Sequence, residues 1–306
     1  MSNEDECEIM NYLVIGASGL VGYEFYRQKK GKKGWHFTYN TNKMDDFVHL
    51  DAGDQAEVDA VFSEIKPEVV IFPAAMPNVN KCETEPKIAE ELNLGILRNV
   101  LEAMKKHGGK KIVFFSTDYL FDGEDGPYSE EAKVNPLNEY GRIKLKCEEA
   151  IKQSGLGHII IRTTGIFGWE KNRKNFLYRV LDNLSQGKQL ELPDNQYATP
   201  VYVKDLASAT MKLIEMNKNG IYNVCGPDFL NRVELANLFA DGFDLDKTLI
   251  SGKKTSEFQN VAPRPLRCGL KIDKVTALGI RMMRIKEALV DMKKNKEKDD
   301  AYPEPG

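Results

Sequence analysis

The chain has 306 residues, is 42% hydrophobic, and sets 43 basic against 46 acidic residues for a formal net charge of −3. That length admits one large or two modest domains around a sizeable core, and the near balance of charge excludes the basic footprint of a nucleic-acid binder. No apolar run approaches the roughly 20 residues of a bilayer span, and four scattered histidines without HExxH give no metal site.

The opening MSNEDECE is acidic and unlike a secretory leader. Five widely spaced cysteines without a CxxC suit reduced thiols. The expectation is a cytoplasmic protein with neither a nucleic-acid nor a membrane partner.

NYLVIG (11–16) is a short apolar strand ending in glycine, and GLVGYEFYRQ opens a helix. WHFTYN (35–40) reads as the next strand. QAEVDAVFSEIKP has helical spacing and stops at Pro67. EVVIFPAA (68–75) is a buried strand, and KIAEELNLGILRNVLEAMKKHG one long amphipathic helix ending near Gly108. KKIVFFST (110–117), NEYGRIKLKCEEAIKQSG and GHIIIRTTGIFG continue as strand, helix and strand. Such alternation predicts parallel βαβ units and an α/β, Rossmann-type doubly wound sheet.

After residue 168 the alternation weakens. NFLYRVLDNLSQG, VKDLASATMKLIEM, NRVELANLFADGF and the stretch around RIKEALVDMKK read as helices, and GIYNVCG as a strand. We therefore expect residues 1–168 to form a dinucleotide-binding half, joined by about 199–225. Residues 169–292 then make a smaller, mainly substrate-binding lobe, and the polar 293–306 a disordered tail.

Gly16-Ala-Ser-Gly19-Leu-Val-Gly22 lies between the first strand and its helix. There the first glycine serves a tight turn, the second lets backbone N–H groups approach a pyrophosphate, and the third lets the helix pack closely. The same spacing occurs in plain turns; its place after an N-terminal strand gives it meaning. The second strand ends in Tyr39-Asn40-Thr41-Asn42-Lys43, without the carboxylate that binds the ribose 2′-hydroxyl of NAD. Asn40 and Lys43 can donate to a 2′-phosphate, which favours NADPH with NADH as the alternative. Lys43 as a solvated loop charge is the competing reading.

Ser116-Thr117-Asp118-Tyr119 closes a central strand, at the end that faces the ligand crevice. Tyr140 and Lys144 stand four apart on one helix face. A phenol near pKa 10 is a poor acid unless tuned; a nearby ammonium lowers it. Thr117 can hold a carbonyl oxygen, Tyr140 protonate it, and Lys144 tune Tyr140 and hold a ribose. Alone, YxxxK is commonly a packed tyrosine beside a surface lysine.

Together these residues resemble the extended short-chain dehydrogenases/reductases. STDYLFDG…PYSEEAKVNPLNEYGRIKLKCE, PAAMPNVNKCETEP…ELN, DNQYATPVYVKDLA and APRPLRCGL, in that order, resemble the dTDP-4-dehydrorhamnose reductase family. The resemblance implies NAD(P)H-dependent reduction of a nucleotide-linked 4-keto-6-deoxysugar, with Thr117, Tyr140 and Lys144 catalytic. It places Gly16, Ser18, Gly19, Leu20 and Val21 at the pyrophosphate and Asp51 and Ala52 near adenine. Ala74, Ala75 and Met76 line the cofactor, Asn93 lies behind them, and Thr163 flanks nicotinamide. Asp118, Tyr119, Asn175, Phe176, Gln196 and Arg264 fall on the substrate side.

The chain departs from the family pattern at Gly165, at Gln196-Tyr-Ala198-Thr-Pro200-Val201, and at Cys147. The methionine adenosyltransferase regulatory beta subunit is similarly alike, which leaves open a non-catalytic NADP-binding partner of another enzyme. A sugar-nucleotide epimerase and a homodimer also stay open.

Overall fold

The computed structural model describes residues 9–259 and 261–295. Its first half alternates β1 (Tyr12–Val14), α1 (Leu20–Lys29), β2 (Trp35–Tyr39), β3 (Val48–His49), α2 (Gln55–Ile65) and β4 (Val69–Phe72). Then come α3 (Val79–Thr84), α4 (Pro86–Glu90), α5 (Ile96–His107), β5 (Lys111–Thr117), α6 (Glu139–Gln153) and β6 (Gly157–Thr163). Six strands run in the order β6-β5-β4-β1-β2-β3, and the strand Gly220–Asn223 adds to β6 as a seventh. Every pairing is parallel. The fold is the doubly wound Rossmann type. Strand order reverses between β1 and β4, and a ligand crevice opens at the carboxyl ends beside such a reversal.

Both sheet faces are covered, so the strands read as continuous apolar runs instead of alternating ones. Val14, Ile71, Val113, Phe115, Ile159 and Ile161 point to one face, where Phe25 and Tyr26 of α1 and Leu206 and Leu213 of the helix Val203–Glu215 pack. Leu13, Val70, Phe72, Ile112, Phe114 and Ile160 point to the other, against Phe62 of α2, Leu97 and Met104 of α5, and Ile143 and Cys147 of α6. A third cluster joins the helices Phe176–Ser185, Arg232–Gly242 and Ile285–Asn295 through Leu177, Tyr178, Leu235, Phe239 and Leu289.

Two expectations about elements need correcting. The long helix expected before Gly108 is broken by a π turn at Glu91–Gly95, between α4 and α5. Buried Asn93 sits in it, its Nδ2 donating to the Ala89 carbonyl at 2.8 Å and its Oδ1 accepting from the Met76 N–H at 3.2 Å. A side chain inserted in the ladder is an ordinary cause of such a bulge. The expected tail also begins too early. Lys293–Asn295 complete the helix Ile285–Asn295, which buries Ile285, Ala288, Leu289 and Met292; the remainder of that tail lies outside the described residues. No helix among the described residues is long and apolar enough to cross a membrane.

Candidate functional site

The glycine loop sits at the topological reversal. Gly16 turns with φ +86°, and a Cβ there would stand 3.0 Å from the Cβ of Ala74. Gly22 is closer packed still: a Cβ would fall 2.5 Å from the Gly16 carbonyl oxygen. Gly19 is the N-cap of α1, with no side-chain cap and no acidic residue in the first turn. The amide end of the helix dipole therefore faces a cavity of about 490 Å³ lined by Ser18, Gly19, Leu20, Val21, Ala75 and Ser116, among others. Ser18, Gly19, Leu20 and Asn42 also line a second cavity of about 680 Å³ that reaches Thr41 and Lys43.

The other expected cofactor residues are placed differently. Asn40 donates to Asp51 Oδ1 at 3.3 Å, and the buried Ala52 uses its carbonyl to accept from Asn99. These three residues line neither cavity, because the second strand's end and the following loop satisfy one another. Ala74 backs onto Gly16, and Met76 is pinned by Asn93.

The first cavity also reaches Tyr140, Lys144 and Thr163. α6 carries the first two. Asn138 caps it by accepting from the Gly141 N–H at 2.9 Å, and Glu148 of α6 meets Arg162 of β6 in a buried two-pronged ion pair at 3.0 and 2.8 Å. Lys144 Nζ donates to the Phe115 carbonyl at 2.9 Å and stands over the Phe114 ring. Burial pulls its pKa down.

Sequence reasoning expects this ammonium to draw the Tyr140 phenol toward neutrality. The structure reverses the direction. Burial pushes the phenol up, Asp118 and Cys82 push the same way, and a hydrogen bond with Thr117 only partly offsets them. Tyr140 therefore stays protonated across the physiological range.

Thr117 lies just beneath. Its hydroxyl accepts from the Tyr119 N–H at 3.2 Å and donates to Asp118 Oδ1 at 3.4 Å. Asp118, expected on the substrate side, is instead 2% exposed. It is enclosed with the Gly269 N–H and the Thr164 hydroxyl, and burial pushes its carboxyl up to about 6. Tyr119 stacks edge-on against Tyr140 and faces the neighbouring cavity.

That cavity, of about 430 Å³, holds Phe176, Gln196 and Arg264 as expected. Asn175 lines the first cavity instead, where it caps the helix Phe176–Ser185 and donates to the Gly168 carbonyl. Lys174 lines both. Arg179, Arg232 and Arg264 join Lys174 in the 430 Å³ cavity, and none of its described lining residues is acidic. Burial and the charge of Arg232 both depress Arg179.

The family model described as RmlD substrate binding domain matches residues 10–297. The chain belongs to this RmlD family. Methionine adenosyltransferase 2 subunit beta of Xenopus tropicalis is 31% identical over 279 residues, covering 88% of this chain and 82% of the relative. A dTDP-4-dehydrorhamnose reductase of Clostridium acetobutylicum superposes with a TM-score of 0.85 at 29% identity, over 94% of this chain and all of that one. The Bacillus anthracis dTDP-4-dehydrorhamnose reductase in complex with NADP gives 0.84 at 25% identity, again over 94% of this chain and 100% of that one.

Within this RmlD family chain, sequence reasoning misses several lining residues: Glu170, Asn172, Lys174, Arg179, Arg232 and Phe258. Phe176 and Arg179 stand three apart on one helix, a spacing that offered a signal for Arg179. Arg232 and Phe258 come from distant segments, and only the fold brings them in.

Proposed function

We propose that the chain is an NADPH-dependent reductase of a nucleotide-linked 4-keto-6-deoxysugar, with NADH as the weaker cofactor. One observation carries the reading. Tyr140 and Lys144 stand in a cavity cradled by glycines, and Tyr119, in ring contact with Tyr140, opens onto a cavity rich in cations.

The first cavity suits a dinucleotide. A Cβ would fill its cradle at Gly16 and Gly22. Two buried hydroxyls, Ser116 Oγ and Thr163 Oγ1, have no hydrogen-bond partner among the described residues and remain available to a ligand. Ser18, Gly19, Leu20 and Val21 would hold the pyrophosphate, and Lys43 a 2′-phosphate. NADPH bound there supplies a hydride. The Bacillus anthracis relative is described in complex with NADP.

The chain's own residues do the rest. Arg179, Arg232, Arg264 and Lys174 take the substrate's diphosphate, since cations without acidic neighbours favour a polyanion. Phe176 offers a flat face, already occupied by the Arg232 guanidinium. Tyr140, held protonated, gives its proton to the carbonyl oxygen. Thr117 donates to the same oxygen as charge develops on it. Lys144 holds the ribose and keeps a positive charge near the phenolate left behind.

NADPH oxidation with dTDP-4-dehydrorhamnose tests this. Turnover is expected; firm NADPH binding with no turnover on any keto-sugar nucleotide would overturn it. The 31% identity to the beta subunit of an adenosyltransferase favours a second reading, a regulatory partner. Co-purification with that enzyme and no reductase activity is its signature.

A further inference from the structure

Asp118 is a buried carboxylate that, among the described residues, holds no ion pair and lies outside the cavities described above. The groups facing it are few. Gly269 N donates to its Oδ2 at 3.4 Å, the Thr164 hydroxyl is bonded to it, and Thr117 Oγ1 donates to its Oδ1 at 3.4 Å. The charge of Arg232, which lines the 430 Å³ cavity, also acts on it. Asp118 in turn acts on Cys268, Cys225, Tyr119 and Tyr140.

The hydroxyl of Thr117 has one proton. It also accepts from the Tyr119 N–H and is hydrogen-bonded with Tyr140. While Asp118 is ionised, that single proton points at the carboxylate and cannot also serve a substrate oxygen. Once Asp118 is protonated, the arrangement turns round. Oδ2 accepts from the Gly269 amide, which makes Oδ1, beside Thr117, the favoured seat of the new proton. There it donates to Thr117, whose own proton is released.

We propose that Asp118 is a positioning residue that sets the direction in which the Thr117 hydroxyl donates, toward the carboxylate when ionised and toward the reacting carbonyl when protonated. The proposal rests on the reductase reading for its consequence in turnover, but the hydroxyl coupling exists without it. Arg232 links it to the substrate. Its charge lowers the Asp118 pKa, so a diphosphate bound to Arg232 offsets that charge and favours the protonated, releasing form. Burial already brings Asp118 to about 6, which puts the changeover within reach of working pH.

The test is single-turnover reduction of dTDP-4-dehydrorhamnose by NADPH between about pH 5 and pH 8. The parent rate should fall as pH rises through the Asp118 titration, approaching about tenfold per pH unit. Asp118→Asn should be flat and run at the parent's acid-side rate, because Gly269 fixes the amide oxygen and leaves the NH₂ to donate to Thr117. Thr117→Val, slower throughout, should also be flat. A falling limb that survives in either variant overturns the proposal, and the valine variant decides if the asparagine one does not fold.

A second readout needs no turnover. With carbon-13 label in tyrosine, the Tyr140 ring signal should follow the Asp118 titration in both proteins, because the Asp118 charge acts on the phenol directly, but with a distinctly larger amplitude in the parent, where Thr117 adds its hydrogen bond. Added dTDP should move that titration upward. Equal amplitudes in the two proteins overturn the proposal, since direct charge alone then accounts for the signal. An amplitude reduced in Thr117→Val, in a protein that reduces no sugar nucleotide, retains the coupling and rejects the reductase reading alone.

Discussion

Tyr140→Phe removes one oxygen and leaves the ring against Tyr119. NADPH affinity should barely change while turnover falls by roughly 10² to 10⁴, the span of general acid–base catalysis. Lys144→Met should damage both, since the ammonium faces the cavity bounded by the glycine loop and sits on the Phe115 carbonyl. Calorimetry beside single-turnover kinetics separates the two, and a phenylalanine variant at the parent rate would sink the assignment.

Lys43 lines the 680 Å³ cavity, so Lys43→Glu should shift the NADPH-to-NADH affinity ratio by about tenfold, or 1.4 kcal/mol. An unchanged ratio returns Lys43 to a solvated loop charge. Asp118 makes a prediction about stability. Between about pH 4 and pH 6 its folded carboxyl keeps a proton that the unfolded chain has lost. The unfolded state then binds fewer protons, so stability falls as pH rises through that window and the loss is complete above it. Asp118→Asn does not titrate. From pH 4 to pH 7 its stability relative to the parent should therefore improve by up to about 3 kcal/mol, read by urea unfolding. A pH-independent difference would mean that the carboxyl ionises normally.

α6 brings tyrosine and lysine to the end of β5, and its seating depends on the buried Glu148–Arg162 pair. Arg162→Met leaves the buried Glu148 carboxylate with only the longer, half-exposed Lys152 contact at 3.9 Å and should cost about 3–5 kcal/mol. Denaturant midpoints at constant slope would register it; a loss under 1 kcal/mol would mean that the pair does not hold the helix. Much of this half was legible in the sequence, because βα alternation, Gly16–Gly22 and the i, i+4 pair are local patterns. Asn93 was not legible as a helix breaker, since its effect needs Met76 from a separate loop. The short β3 escaped notice because both its residues are exposed and carry no burial pattern. Arg232 and Lys174 escaped because charge in a cavity is set by which distant segments meet. The direction of the Tyr140 shift was misjudged for a related reason: the sequence names the neighbouring lysine, but burial, the larger effect, belongs to the folded molecule.

The whole chain is tied together by its last described helix. Ile285–Asn295 inserts Ile285, Leu289 and Met292 into the cluster built on Phe167, Tyr178 and Phe239. The Trp169 indole donates to the Met292 carbonyl at 3.2 Å. Lys204, on the helix that packs against α1, meets Asp291 at 2.8 Å. The helix therefore touches both the third cluster and a helix that covers the main sheet. Three large buried side chains at roughly 1.5–3 kcal/mol each amount to about 5–9 kcal/mol, which approaches the whole stability of an ordinary domain. A chain ending after Asn295 keeps all these contacts and should melt with the parent. A chain ending before Ile285 exposes Phe239 and Leu235 of the facing helix and should lose its cooperative transition. Limited proteolysis should then cut within residues 169–259 before it reaches the sheet. Parent-like melting of the shorter chain would show that the third cluster holds together without this helix.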